Sequence, residues 1–196
     1  MASNFNNPPL TDRLPEIPPE RMTPEQCRVM DELTSGPRGK IGGPFIPLVR
    51  SPELMSRLQK VGEYLRYHNT VGLRNSEFAV LVVARHWSQP IEWAIHRPIA
   101  EREGVMPATI DALAEGRRPT TMSDDEAIIY DVLDELRNHK SVSDPTWQRG
   151  LSRFGEQGMI DMVAHYGYYS LLAMVMNVSR TALPADKAAE LPRMPI

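Results

Sequence analysis

Hydrophobic positions along the chain recur at helical rather than strand intervals. Leu54, Leu58, Val61 and Leu65 follow at three- and four-residue steps, which predicts an amphipathic helix over 52–68 with that stripe toward the core. The next apolar run, SEFAVLVVARHW, opens at Ser76. Val80, Val82 and Val83 alone would suit a buried strand, but the run's length and the lack of a partner strand predict a second helix. Helix punctuation surrounds these runs. Thr23-Pro24-Glu25 and Ser51-Pro52-Glu53 each offer an N-cap hydroxyl, a proline in the first turn and an acid at the positive end of the helix dipole. Pro90 starts a helix that Gly104 can end, and Pro107 starts a short one closed by Gly116. Ser123 to Glu126 is a capping box before AIIYDVLDELRNH, and Asp144-Pro145 precedes a helix ending near Gly155. With the apolar stretch MIDMVAHYGYYSLLAMVMNV (159–178), this makes seven or eight helices and no convincing hairpin, so the expected class is all-α.

Between the first two helices, SGPRGKIGGPFIPLV (35–49) carries four glycines and three prolines and reads as a loop whose Phe45, Ile46 and Leu48 fold back over something apolar. Residues 1–21 and 182–196 are proline-rich without periodicity and are expected to be extended arms around a single helical domain over 22–181. A 196-residue chain that is 41% hydrophobic can build one such core. Charge changes the picture little: 22 basic against 25 acidic residues, with Arg117-Arg118 the basic run of note, leave no footprint for nucleic acid. Cys27 stands alone, which excludes an internal disulfide, a CxxC pair and a cysteine zinc cluster, fits a reducing compartment, and reads as an apolar side chain. The polar first 21 residues show no secretory signal, so a cytoplasmic location is expected. The stretch 159–178 approaches membrane-spanning length, yet Asp161, His165 and Gly167 point to a helix in a core or subunit interface instead.

The chemistry-bearing stretch is ARHWSQPIEWAIHRP (84–98), with two histidines, a glutamate and two tryptophans in fifteen positions. Glu92 and His96 lie one helical turn apart on one face, while Pro98 removes a donor and crowds the turn beside His96. Folded as an antiparallel pair, this helix and the preceding one bring Glu77 toward His96. Two readings follow from spacing alone. A surface pair would be worth only ~0.3–0.5 kcal/mol, whereas a buried acid–imidazole pair would carry shifted pKa values and transfer protons near neutral pH. His86, Glu92 and His96 do not have the HExxH spacing of a zinc site, so metal-free chemistry ranks ahead of metal binding. Trp87 and Trp93 either pack the helix pair or wall an apolar pocket.

The run LRNSEFAVLVVARHWSQPIEWAIHRPIAEREGV (73–105) resembles the core motif of the carboxymuconolactone decarboxylase family, which shares its fold with alkyl hydroperoxidase D. RSPELMSRLQKVGEYLRY, ALAEGRRP and RFGEQGMIDMVAHYGYYSLLAMVMN are similar to one branch of that family, so the resemblance spans about 44–180. In the peroxidase branch a glutamate precedes a CxxC pair and a histidine. Here Glu77 matches that glutamate, but Gln89 and Glu92 stand at the cysteine positions, which disfavours thiol peroxidase chemistry. The decarboxylases carry an acid four residues before the histidine, as Glu92 and His96 do, and usually a histidine directly before that acid, where this chain has Ile91.

The resemblance implies an all-helical bundle assembled as a homotrimer or hexamer, with its site near a subunit interface and no cofactor. It implies a carboxy-lyase or isomerase acting by acid–base catalysis on a small unsaturated lactone or carboxylate from aromatic catabolism. In that reading His96 polarises the lactone, Glu92 holds His96 or shuttles the proton, Glu77 relays behind them, and His86 binds or protonates the substrate. Arg85 pairs with a substrate carboxylate or instead forms a salt bridge to Glu77 or another acid, and Trp87, Trp93, Phe45 and Tyr169 surround the substrate. Ile91 and the missing cysteines motivate the competing class, a non-enzymatic oligomeric small-molecule binding protein on the same fold.

Overall fold

The computed structural model describes residues 11–186 and Leu191; the remaining parts of the two expected arms lie outside the described residues. Described residues form eight α-helices and no strand: α1 (Pro24–Ser35), α2 (Phe45–Leu48), α3 (Pro52–Tyr67), α4 (Leu73–His86), α5 (Pro90–Arg102), α6 (Pro107–Ala114), α7 (Asp124–His139) and α8 (Asp144–Ser179). A 3-10 turn at Pro19–Arg21 precedes them. Where the N-terminal arm is described it lies on the bundle, Arg13 N–H donating to the Ser179 carbonyl and the Arg50 guanidinium to the Leu14 and Pro15 carbonyls.

Helix α4 is the axis of the molecule. Every residue from Ser76 to Arg85 is buried, because α5, α6, α7, α8 and α3 all pack on it. A helix enclosed on all sides needs no polar face, which is why its sequence lacks the periodicity of a surface helix. It begins at Leu73, three residues before the expected Ser76: the Asn69 side chain takes the Val71 and Gly72 N–H groups, and the Ser76 hydroxyl turns back to the Gly72 carbonyl. The next corner is set by Ser88, a non-glycine residue at φ 47, with Gln89 N–H reaching back to the Ala84 carbonyl. Gln89 then caps α5 by accepting from Ile91 N–H, while its Nε2 donates to Asn177 on α8.

The predicted capping box at Ser123 opens α7, and the predicted N-cap at Thr23 opens α1, where Gln26 completes a capping box as well. Ser51 and Ser143 precede their helices without a side-chain cap bond, so proline alone marks those starts. Gly155, at φ 68 and ψ 179, interrupts α8 at the predicted stop, and the chain then continues helical to Ser179. The glycine- and proline-rich segment folds back as expected, with Phe45 and Leu48 buried in the one-turn α2 against α3 and α8. No helix of the described residues is long and apolar enough to cross a membrane.

The predicted stripe on α3 is displaced by one position. Leu65 is buried, but Leu54 and Val61 are 44% and 45% exposed, and the inward face is Met55, Gln59, Gly62 and Leu65 with Ser56 beside them. Polar and small residues turn inward because they have partners. The Ser56 hydroxyl and Gln59 amide donate to Glu32 of α1, and Gly62 lets α8 approach. A Cβ at position 62 would collide with the Tyr168 hydroxyl and Arg38 Nη2. Gly62→Ala would gain about 1 kcal/mol of helix propensity but suffer overpacking of roughly 1–3 kcal/mol. Urea unfolding should therefore show net destabilisation; a stabilised variant would contradict the close α3–α8 approach.

Candidate functional site

The turn at Ser88 folds α5 back against α4, and this places Glu77 and His96 side by side from helices that each bury the contact. Nδ1 of His96 lies 2.6 Å from Glu77 Oε2, and its Nε2 lies 3.4 Å from Glu92 Oε2, one turn earlier on α5. Glu77, Glu92 and His96 are 1%, 3% and 4% exposed, so of the two readings left open by spacing, the buried one describes the geometry. Tyr169 meets the imidazole edge-on with 5.3 Å between ring centroids, and His165 stacks on Tyr169 from beyond it.

Protonation follows from this packing. Burial alone would drive His96 toward neutrality, but the Glu77 charge and hydrogen bond, reinforced by Glu92, hold its pKa up at about 9. Burial likewise raises the Glu77 carboxyl, and the His96 charge and hydrogen bond outweigh that, leaving it below its ordinary value. The resting state is a buried carboxylate–imidazolium pair. His165 goes the other way: burial dominates and the nearby His96 cation adds to it, bringing it down to about 4 against the pull of Asp161 and Glu77.

A cavity of about 120 Å³ opens on the Glu92 side of the imidazole. Its lining includes Glu92, His96, Phe45, Tyr168, Tyr169 and Arg38. Lys40 and Arg66 stand at the same cavity, so three cations surround a space whose acidic wall is Glu92. Glu77 faces a second cavity of about 360 Å³ with Arg66 and Arg102, which places the ion pair between two openings. Burial raises the Tyr168 hydroxyl to about 12, opposed by the Arg38 charge, and burial carries Tyr169 well above the ordinary tyrosine value. Both phenols are therefore neutral donors at pH 7.

Of the residues singled out from sequence, the structure gathers Glu92, His96, Phe45 and Tyr169 around the cavity with Glu77 behind them. It places the others elsewhere. Arg85 donates to the Ala114 carbonyl and the Ser88 hydroxyl, so it fastens the α4–α5 corner to α6 rather than facing the cavity. His86 packs against Tyr166, and burial with the Arg137 and Arg85 charges lowers it to about 3, a neutral ring away from the Glu92–His96 pair. Trp87 donates to the Ser170 hydroxyl, and Trp93 is wholly enclosed, so both tryptophans pack helices. Among the described residues no group of three His, Cys, Asp or Glu side chains is placed to hold a metal ion. Cys27 is exposed rather than packed as an apolar side chain. Sequence reasoning missed Arg38, Lys40, Arg66, Tyr168 and His165. The first two sit in the loop whose apolar residues were noticed, and that was the available signal.

The chain matches no family model and no curated protein.

The shifts fix a pH signature. His96's raised value favours the folded state fully below about 6.5, and that contribution is lost as pH rises through about 9. Glu77's lowered value contributes above 4.5 and is lost in acid. His86 and His165, held neutral, contribute above 6.5 and lose that contribution as pH falls toward about 3 and about 4. Stability from urea unfolding should peak near pH 6.5, and His96→Gln should flatten the alkaline limb while His165→Gln weakens the acid one. An alkaline limb unchanged in His96→Gln would refute the ion pair.

Proposed function

We propose that the chain is a carboxymuconolactone decarboxylase-like protein, a metal-free carboxy-lyase or isomerase that works by general acid–base catalysis on a small unsaturated lactone or carboxylic acid. The observation that carries this reading is the buried Glu77–His96–Glu92 array opening onto a cation-lined cavity. A carboxylate held out of water beside an imidazolium is arranged for proton transfer, and structural ion pairs with no cavity beside them are not.

Loss of carbon dioxide from an unsaturated lactone acid breaks the carbon–carboxylate bond and leaves its electron pair delocalised into the lactone as an enolate. His96, held as the imidazolium by Glu77, supplies positive charge where that oxyanion develops. Glu92 accepts the Nε2 proton at Oε2 and passes it to the carbon that has lost carbon dioxide; solvent at the cavity mouth restores the proton to His96. In an isomerisation Glu92 removes a proton beside the carbonyl and returns it further along the conjugated system, with no net proton uptake. Glu77 does not touch the substrate in this scheme and keeps His96 charged and oriented.

Two features of the resemblance are carried with this reading. Gln89, at one redox-cysteine position, has both ends of its amide engaged in holding α5 and α8, which suits a thiol-free site. Ile91, where the decarboxylases usually have a second histidine, is buried beside Gly43 and brings no titratable group, so the substrate is expected to differ. A homotrimer or hexamer is proposed on the same footing. Ile160 and Val178 of α8 are 63% and 68% exposed, and with Val163 and Met174 they leave apolar surface on one helix.

Incubating the protein with γ-carboxymuconolactone and a panel of unsaturated lactones and keto acids, followed by ultraviolet absorbance, tests the reading. Turnover is expected on at least one panel member, with His96→Ala and Glu92→Gln each lowering kcat by about 10²–10⁴-fold. Ligand binding without turnover anywhere in the panel, unaffected by both substitutions, would instead favour a binding protein.

A further inference from the structure

Buried and part-buried carboxylates elsewhere in the bundle have partners. Glu126 takes the Arg74 guanidinium, Asp161 accepts from Thr70 and Tyr64, and Glu32 accepts from Ser56, Gln59 and Lys60. Unpartnered buried nitrogens also occur on His86, Trp93 and His165, but three side chains with such atoms gather at the 120 Å³ cavity. Nε and Nη2 of Arg38, the Tyr168 hydroxyl and Glu92 Oε1 are all buried with no hydrogen-bond partner beyond the approach of Arg38 to the Tyr168 hydroxyl itself. A native structure rarely leaves several such groups unsatisfied in one place unless something absent completes them.

The three are sorted by chemistry. Arg38 and Tyr168 are donors, converging on the same point above Gly62; Glu92 is an acceptor on α5 beside the reactive imidazole. The Arg38 guanidinium lies over the Phe45 ring, 4.9 Å from its centroid, and the glycine-rich turn with Gly39 at φ 67 and Gly43 at φ 55 carries it back over the cavity. Among the described residues no carboxylate lies within salt-bridge reach of Arg38. A planar guanidinium stacked on an aromatic ring, with a phenol beside it, matches the two oxygens of a carboxylate.

We infer that Arg38 and Tyr168 form a carboxylate subsite that holds a non-reacting carboxylate of the substrate, and that this subsite presents the reacting carbon to Glu92 and His96. This deepens the function proposed above and rests on it for the identity of the reacting end. It narrows the substrate class to small compounds bearing a carboxylate that survives the reaction. The charge needed for substrate recognition comes from the 36–44 loop, not from Arg85 or His86. Lys40 and Arg66 add to the field at the mouth but are not required to grip the carboxylate.

The test compares calorimetric titrations of the full chain with 2-furoate, a small unsaturated ring carboxylate, and with neutral 2-furamide. The wild type should bind the furoate at least about tenfold more tightly, the effect expected of a charge-assisted fork. Arg38→Met, which keeps an apolar stem over Phe45, should abolish that preference, and Arg38→Lys should restore only part of it. Tyr168→Phe should weaken furoate alone. Thermal melts of Arg38→Met and Arg38→Lys establish that both are folded. No preference in the wild type, no furoate binding at millimolar concentration, a preference that survives Arg38→Met, or one lost on Arg66→Met but not on Arg38→Met would each overturn the inference. An Arg38-dependent preference without turnover on any lactone leaves the subsite standing and removes the catalytic reading. Lactone turnover unchanged by Arg38→Met does the reverse.

Discussion

A single contact between two helices organises the site: a carboxylate on α4 and an imidazolium on α5, 2.6 Å apart and closed off from solvent. Either charge alone in that position would be strongly destabilising, since removing one partner of a buried pair typically costs 3–5 kcal/mol. Both helices must therefore arrive in register. The fold secures this from several sides: α4 is enclosed by five other helices, Ser88 sets the corner, Gln89 caps α5 and ties it to α8, and Arg85 fastens the corner to α6. Arg85, which looked chemical in sequence, and Gln89, which stands at a redox-cysteine position, act here as fasteners for the pair.

The pair also orders the charges around it. Burial holds the neighbouring His165 neutral, and the His96 cation adds to that although Asp161 and Glu77 pull the other way. The neutral phenols of Tyr168 and Tyr169 line the same cavity as His96, Glu92 and the three cations. The result is a site that combines cations, neutral phenol donors and an acid–base array around one small cavity. A neutral apolar ligand would leave the donors unmatched, and a large one would exceed the space.

Most helices were legible because their starts and stops are local: N-caps at Thr23 and Ser123, prolines at 24, 52, 90 and 107, and glycines at 104, 116 and 155 act through backbone geometry within a turn or two. The inward face of α3 was not legible, because Ser56 and Gln59 turn inward to a glutamate on α1 and Gly62 to a tyrosine on α8, partners remote in sequence. The site divides along the same line. Glu92 and His96 are one turn apart, and Glu77 is reached across one corner, so periodicity and a helix pair suffice. His86 follows Glu77 by nine residues, half a turn around α4, so sequence proximity to the chemistry was misleading there. Arg38 and Tyr168 come from a loop and from α8, and only tertiary packing brings them together.

The charge state of His96 tests the account most directly. Titration of its ring by NMR, with carbon-13 or nitrogen-15 in the histidines, should show an imidazolium that persists through neutral pH and releases its proton near pH 9. In Glu77→Gln the same resonance should titrate well below that, because burial then acts without the compensating carboxylate. A wild-type His96 that titrates at or below its ordinary value of 6.5, or one indifferent to Glu77→Gln, would contradict the ion pair on which the acid–base site depends.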